Sequence, residues 1–247
     1  MKIGIIGTGN IGGTLARKLR AAGHDICVAN SRGIEGVRPF ADEIGAQPVD
    51  MSGAVDGMDI IILSIPLPAV ATLPKDLFAK VPVGVPVIDA GNYYPGMRDP
   101  AIAEIEAGLP ESEWVARLIG RPVIKAFNNI LAHSLAELGR PKGSLDRLAV
   151  AVAGDNPTSM NLVMGLVDEI GFDPVDAGPL ASSWRQQPGT PAYCCDDDAV
   201  TMREYLAAAV PGRAPARRDA LMAKFASFET FPSHNEMVAL NRSFMTE

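Results

Sequence analysis

The stretch Gly7-Thr8-Gly9-Asn10-Ile11-Gly12 constrains this chain more than any other. It follows a short β-branched apolar run, Lys2-Ile3-Gly4-Ile5-Ile6, and opens a helical pattern from Gly13 to Ala22 with Leu15 and Leu19 on one face. Beyond Ala22-Gly23-His24 a second apolar run, Ile26-Cys27-Val28-Ala29, ends in Asn30-Ser31-Arg32. The order strand, glycine turn, helix, strand is a βαβ unit. In such a unit Gly7 serves the tight turn, Gly9 lets the backbone approach a pyrophosphate, and Gly12 lets the helix pack close to the strand. The helix N-terminus then offers free N–H groups and a positive dipole end to the anion. A tight turn with no ligand is the competing reading. The turn's place directly after a strand, inside a complete βαβ unit, weighs against it.

The end of the second strand selects the nucleotide. An NAD site places Asp or Glu about 20 residues past the glycines, where it accepts bonds from the ribose hydroxyls. Here Asn30, Ser31 and Arg32 occupy that region, and the first carboxylate is Glu35. Ser31 can donate to a phosphate and Arg32 can clamp it bidentately. A solvated loop arginine is the alternative. The expected cofactor is NADP(H).

Composition narrows the partners. A net charge of −7 with no basic stretch argues against nucleic acid. Cys27, Cys194 and Cys195 make no C-x-x-C pair and no disulfide framework. The first strand begins at residue 2, which leaves no room for a signal peptide, and no apolar run approaches transmembrane length. The expectation is a soluble, cytoplasmic protein with no membrane partner.

Further along, Gly33 to Ile44 reads as a helix, 46–49 as an edge strand, and 58–64 as a central strand apolar on both faces. Ser64, Ile65 and Pro66 at its end are expected beside the adenosine half of the cofactor. A helix from Val70 to Ala79 and a strand at 86–89 follow. That strand delivers Ala90 and Asn92 to the edge where ligands collect, and Asn92 can serve ribose or nicotinamide. Helical material at 102–107 and 113–119 precedes a strand at 122–127, which delivers Asn128 and Asn129. Turn or capping chemistry is an equal account of those two. A strand at 148–153, a helix from Thr158 to Ile170 and a strand from Phe172 make a second βαβ-like unit. Trp184 to Tyr193 holds enough Pro and Gly to forbid a long helix. Asp196, Asp197 and Asp198 precede a helix at 199–209 and suit its N-terminal dipole. Adjacent cysteines beside them are poor metal geometry. A helix to Phe228 and a mobile or partner-bound tail end the chain. The expected fold is α/β: a Rossmann-type doubly wound, mostly parallel sheet (1–180) extended by the second unit, with a C-terminal loop and helical region (181–247) for the acceptor or a dimer contact.

Four blocks taken in order, Gly7 to Gly12, Ser31-Arg32, Lys125-Ala126-Phe127-Asn128 and Asp176-Ala177-Gly178-Pro179-Leu180, resemble one family. It is the NADPH-dependent reductases of the deazaflavin coenzyme F-420, related to the cytoplasmic NADPH-binding domains of the STEAP metalloreductases. The resemblance implies NADPH along the sheet edge with a deazaflavin or flavin ring stacked over the nicotinamide. It also implies that Thr8, Asn10, Ile11, Ser31 and Arg32 hold the pyrophosphate and adenosine phosphate, with Asn128 near the nicotinamide. The segment after Leu180 departs from the family's core.

Hydride transfer between stacked rings needs planes about 3–3.5 Å apart, and the protein supplies position rather than a nucleophile. This suits a chain with no evident acid/base dyad. His24, His133 and His234 read as structural, Lys125 as packed or paired, and no catalytic residue is assigned. Three readings compete: a deazaflavin or flavin reductase, a reductase of a small carbonyl or imine, and a non-catalytic NADP(H) sensor. The second needs a proton donor, for which Lys125, His133 and Tyr193 are candidates. A homodimer is expected because Phe231, Met237, Leu240 and Phe244 would otherwise be exposed. A tail folded back on its own domain is the alternative.

Overall fold

The computed structural model describes residues 1–228, 230 and 232–243. Strand β1 (Lys2–Ile6) leads through α1 (Asn10–Ala21) to β2 (Asp25–Ala29), then through α2 (Gly33–Ile44) to the edge strand β3 (Gln47–Pro48). β4 (Ile60–Leu63), α3 (Leu67–Val70), β5 (Val87–Asp89), α4 (Ala103–Glu106), α5 (Glu111–Ile119) and β6 (Ile124–Lys125) follow. The six strands form one parallel sheet in the order β3-β2-β1-β4-β5-β6. The direction of crossover reverses between β1 and β4. In such a sheet that reversal opens a crevice beyond the strands' carboxyl ends.

Side-chain alternation builds a core on each face. Ile60 and Ile62 of β4 pack with Leu15, Leu19 and Val28 on one side. Ile61 and Leu63 pack with Phe78, Trp114 and Val115 on the other. A strand apolar at every position is buried on both faces, which is why this run reads so clearly as a central strand.

After α6 (Ala132–Glu137), the strands β7 (Ala149–Val152) and β8 (Asp173–Asp176) pair in parallel around α7 (Pro157–Glu169). This second unit joins the main sheet through one antiparallel bridge. Lys125 and Ala153 exchange backbone N–H···O bonds of 2.9 Å in both directions. α8 (Ala199–Ala208) covers it, with Met202 and Leu206 in a core shared with Ala149, Ala151 and Val175. The stretch after residue 180 therefore packs directly on the sheet-bearing part. α9 (Ala214–Ala226) and α10 (His234–Ser243) complete the chain.

Three expectations need correction. The helix expected over 70–79 does not form: α3 ends at Val70, and 71–79 runs as consecutive turns such as Thr72 N–H to Ala69 O at 3.1 Å and Leu77 N–H to Pro74 O at 3.0 Å. Pro74 has no N–H to continue a helix, and its ring crowds the preceding turn. The strand expected over 122–127 keeps only Ile124–Lys125, because Phe127 turns into the left-handed region at φ 63°. The tail expected as mobile or partner-bound is a helix packed on its own chain over its described residues. In α10 Val238 and Asn241 are buried, and Met237 and Leu240 are half-buried against their own chain. Phe231, Phe244 and Met245 lie outside the described residues.

Candidate functional site

The glycine turn is shaped by contacts that leave no room for a side chain. Gly7 sits at φ 104°, and a Cβ there would lie 2.1 Å from the Ser64 carbonyl oxygen. At Gly12 a Cβ would lie 2.0 Å from the Gly7 carbonyl oxygen, so α1 crosses β1 at backbone contact. Gly9 has open space where its Cβ would be, and no side chain caps the α1 N-terminus. An uncapped helix start facing open space, with glycine at its mouth, fits a pyrophosphate.

Beside it, Asn30 ties the end of β2 to this turn. Its Nδ2 donates to Thr8 Oγ1 at 3.2 Å, and its Oδ1 accepts from the Arg32 N–H at 2.9 Å. Ser31 and Arg32 are exposed, and the Arg32 guanidinium has no ion-pair partner among the described residues. Glu35, the nearest carboxylate in sequence, is held by Arg38 at 2.7 Å and 3.1 Å. A free guanidinium at the end of β2 fits a 2′-phosphate.

Gly7 to Gly12, Asn30 to Arg32, Ser64 to Pro66, Ala90, Asn92 and Asn128 all lie at the carboxyl edge of the sheet. Their availability differs. Thr8, Asn10, Ile11, Ser64, Ile65 and Pro66 keep surface, whereas Ala90 and Asn128 are buried. Asn92 and Asn128 spend their amide protons inside the protein. Asn92 Nδ2 donates to Asn128 O at 2.9 Å and to the Tyr193 hydroxyl at 3.3 Å. Asn128 Nδ2 donates to Asn92 Oδ1 at 3.0 Å and to Gln186 O at 2.7 Å. Asn128 thus braces this edge, and its amide is not free for a ligand.

Beneath the edge lies a buried charge cluster. Lys125 Nζ donates to Gly91 O at 2.6 Å and to Asp89 Oδ2 at 3.2 Å, with Glu111 Oε2 at 3.6 Å. Lys125, Asp89 and Glu111 are all at most 2% exposed. Burial pushes the Glu111 carboxyl up to about 7, against the pull of Lys125. The folded protein therefore binds this proton more tightly than the unfolded chain does. The stability that Glu111 contributes is complete below about pH 4.5 and is lost as pH rises through 7. Against Glu111→Gln, wild type should lose about 3 kcal/mol of stability over that window, the linkage of a shift of this size. Urea midpoints of the two proteins at pH 4.5, 6 and 8 measure it; parallel pH profiles would refute it.

Above the edge is a cavity of about 630 Å³. Asn10 lines one side; Tyr94, Met97, Leu131 and Tyr193 line another; Leu221, Phe225, Phe228, Met237 and Asn241 of the C-terminal stretch close it. Arg98 holds the Tyr94 loop, donating to Asn92 O at 2.5 Å and to Asp99 Oδ1 at 2.8 Å, while the Tyr94 N–H donates to Asp99 Oδ2 at 2.8 Å. α10 holds the Tyr193 side: Asn241 Nδ2 donates to Cys194 O at 2.8 Å and Arg242 Nε to Cys195 O at 2.9 Å. The Tyr94 and Tyr193 hydroxyls are hydrogen-bonded to each other. Burial raises both well above the ordinary tyrosine range, so both stay protonated.

Tyr94 is the residue the sequence reading missed, although it follows Asn92 at the end of β5. The histidines are structural partners: His24 Nε2 meets Glu169 at 2.8 Å, His234 Nε2 meets Asp196 at 2.9 Å, and His133 stacks on His234 at 4.4 Å.

A parallel sheet with its crossover reversal and a glycine turn at a bare helix end are the features of a dinucleotide-binding protein, and an arginine unpaired among the described residues stands beyond β2. The chain belongs to the family of coenzyme F420-dependent NADP oxidoreductases, whose model matches residues 2–93. The protein YjhV of Escherichia coli K12 is 44% identical over 126 residues, which are 51% of this chain and 85% of that protein. The crystal structure of the hypothetical protein SMa0349 from Sinorhizobium meliloti shares 31% identity at a TM-score of 0.65, over 78% of this chain and 93% of that one. A protein of Arthrobacter sp. FB24, provisionally named an F420-dependent NADP reductase, shares the fold at 20% identity and a TM-score of 0.61, over 74% and 87% of the two chains. No helix among the described residues is long and apolar enough to cross a membrane.

Proposed function

We propose that this protein reduces a flat, conjugated acceptor of the deazaflavin or flavin type, and that the acceptor lies in the cavity between the glycine turn and the C-terminal helices. The observation that carries the reading is the cavity itself. Its volume of about 630 Å³ lies within the roughly 300–1,000 Å³ of small-molecule sites. It opens beside Asn10 at the nucleotide-binding turn, and its other walls are mostly apolar and aromatic.

Bound NADPH supplies a hydride from C4 of its nicotinamide ring. The protein's part is position and exclusion of water. The α1 N-terminus and the backbone of Thr8 to Gly12 would face the pyrophosphate, and Ser31 and Arg32 the 2′-phosphate. Ser64, Ile65 and Pro66 would border the adenosine half. Leu131, Met97, Phe225 and Met237 would shield the reacting faces from solvent. Asn92 and Asn128, bound to each other, would keep the far edge rigid.

Stopped-flow mixing of NADPH-loaded protein with riboflavin, FAD and a 5-deazaflavin tests this. Loss of the nicotinamide absorbance at 340 nm with at least one of them is expected; silence across the set rejects the reading. Reduction of a small carbonyl or imine is the second reading. It is favoured by the presence in the cavity wall of Tyr193, whose hydroxyl could serve as the proton donor such a reaction needs.

A further inference from the structure

Two hydroxyls in the cavity wall have no part in the hydride transfer to a conjugated ring described above. Tyr94 and Tyr193, 99 residues apart in the chain, meet through their phenolic oxygens beside the space a ring would fill. The geometry points to Tyr94 as the hydrogen-bond donor to the acceptor atom on which negative charge develops during hydride transfer, with Tyr193 as its positioning residue. The assignment rests on the proposal that a conjugated ring is the acceptor.

An inventory of protons orders the pair. Gln186 Nε2 gives its protons to Asn128 Oδ1 at 2.9 Å and Ala151 O at 3.1 Å. Asn128 Nδ2 gives its own to Asn92 Oδ1 and Gln186 O. Asn92 Nδ2 gives its own to Asn128 O and the Tyr193 oxygen. Tyr193 thus receives an N–H and can pass its own proton toward Tyr94, with the Cys194 thiol as the other partner of its hydroxyl. With Tyr193 donating, the Tyr94 proton has no hydrogen-bond acceptor among the described residues, and the Tyr94 side chain lines the cavity. Donors aligned in one direction polarise one another, which strengthens the last of them. The backbone supports this at a cost. Phe127, Cys194 and Asp196 hold φ values of 63°, 55° and 53°. Each such residue persists only where its surroundings enforce it. Cys194 directly follows Tyr193.

The chemistry gives Tyr94 a task. The hydride leaves the dihydronicotinamide with both electrons of its C–H bond and forms a C–H bond at C5 of a deazaflavin or an N–H bond at N5 of a flavin. The cofactor is left as the oxidised pyridinium. In the acceptor a π pair moves to a conjugated oxygen or nitrogen, which is neutralised by a proton from water. Burial makes the Tyr94 hydroxyl a weaker acid than a free phenol. It therefore donates a hydrogen bond to that atom and keeps its proton. A fixed donor at the site of developing charge, away from bulk water, favours the charged state without reorganising.

Tyr94→Phe removes one oxygen and leaves the ring. We expect the variant to bind NADPH as wild type does. Its affinity for 5-deazariboflavin, titrated by fluorescence in the presence of saturating NADP+, should fall about tenfold, and the hydride-transfer rate by at least as much. Tyr193→Phe should slow transfer less and leave the 5-deazariboflavin affinity within about twofold of wild type, since it misorients the donor without removing it. If wild type reduces the ring and Tyr94→Phe matches it in rate and affinity, this inference is overturned while the proposed function stands. If Tyr193→Phe produces the larger loss, the assignment to Tyr94 is overturned. If wild type neither binds nor reduces the ring, the proposed function fails and this inference with it. Should Tyr94→Phe not fold, ultraviolet difference absorption of wild type decides. A red-shifted phenol band on adding 5-deazariboflavin supports hydroxyl donation, and an unchanged band overturns it.

Discussion

Lys125→Met destabilises the protein by about 3–5 kcal/mol, the penalty of removing one partner from a buried ion pair. Methionine has nearly the same length and no charge, so the packing volume survives while the electrostatics do not. Asp89 and Glu111 would then face each other, with Lys125 no longer between them. Asp89 retains the Ser112 hydroxyl at 2.6 Å and the Gly91 N–H at 2.9 Å. Glu111 Oε2 has no hydrogen-bond partner among the described residues even with Lys125 in place. Since burial already raises Glu111 to about 7, the variant should answer by protonating it, and its deficit should grow above that pH. Urea unfolding followed by circular dichroism measures the loss. The triple variant that adds Asp89→Asn and Glu111→Gln should recover most of it, because no uncompensated charge remains. A deficit below about 1 kcal/mol, or no recovery, would show that the cluster is not what holds this edge.

The second large effect is on the nucleotide. Arg32→Glu should weaken NADPH binding about 100-fold and leave NADH binding within about threefold of wild type. Charge-assisted hydrogen bonds to a phosphate contribute about 1.5–3 kcal/mol, which is 10- to 100-fold, and a carboxylate in the same place adds repulsion. The position makes the effect separable. Arg32 is exposed, and Arg38, not Arg32, holds Glu35, so the charge reversal breaks no internal pair. Because the site is open to solvent, the preference for NADPH in wild type should shrink as salt rises. Isothermal titration with both nucleotides at two salt concentrations measures this. An unchanged ratio of the two dissociation constants would show that Arg32 does not read the phosphate.

Several elements were legible because their causes are local. The strand at Ile60–Leu63 is apolar at every position, and α2 spans the anticipated Gly33–Ile44. The helix expected over 70–79 failed for an equally local reason. Pro74 sits in its middle, where it removes an N–H and crowds the preceding turn. Asn128 shows the opposite limit. Its position at the sheet edge was readable, but the fate of its amide depended on Gln186, 58 residues later.

Sequence alone therefore determined the βαβ opening, the steric need for glycine at Gly7 and Gly12, and the arginine beyond the second strand. These follow from backbone geometry and residue type within about thirty positions. Tertiary structure decided what surrounds the reacting space. Only folding brings Tyr94 to Tyr193, lays the second unit against Lys125 by one antiparallel bridge, and seats α10 on the carbonyls of Cys194 and Cys195. Those contacts join residues far apart in the chain whose side chains carry no periodic signal. Their geometry depends on where the sheet ends each loop.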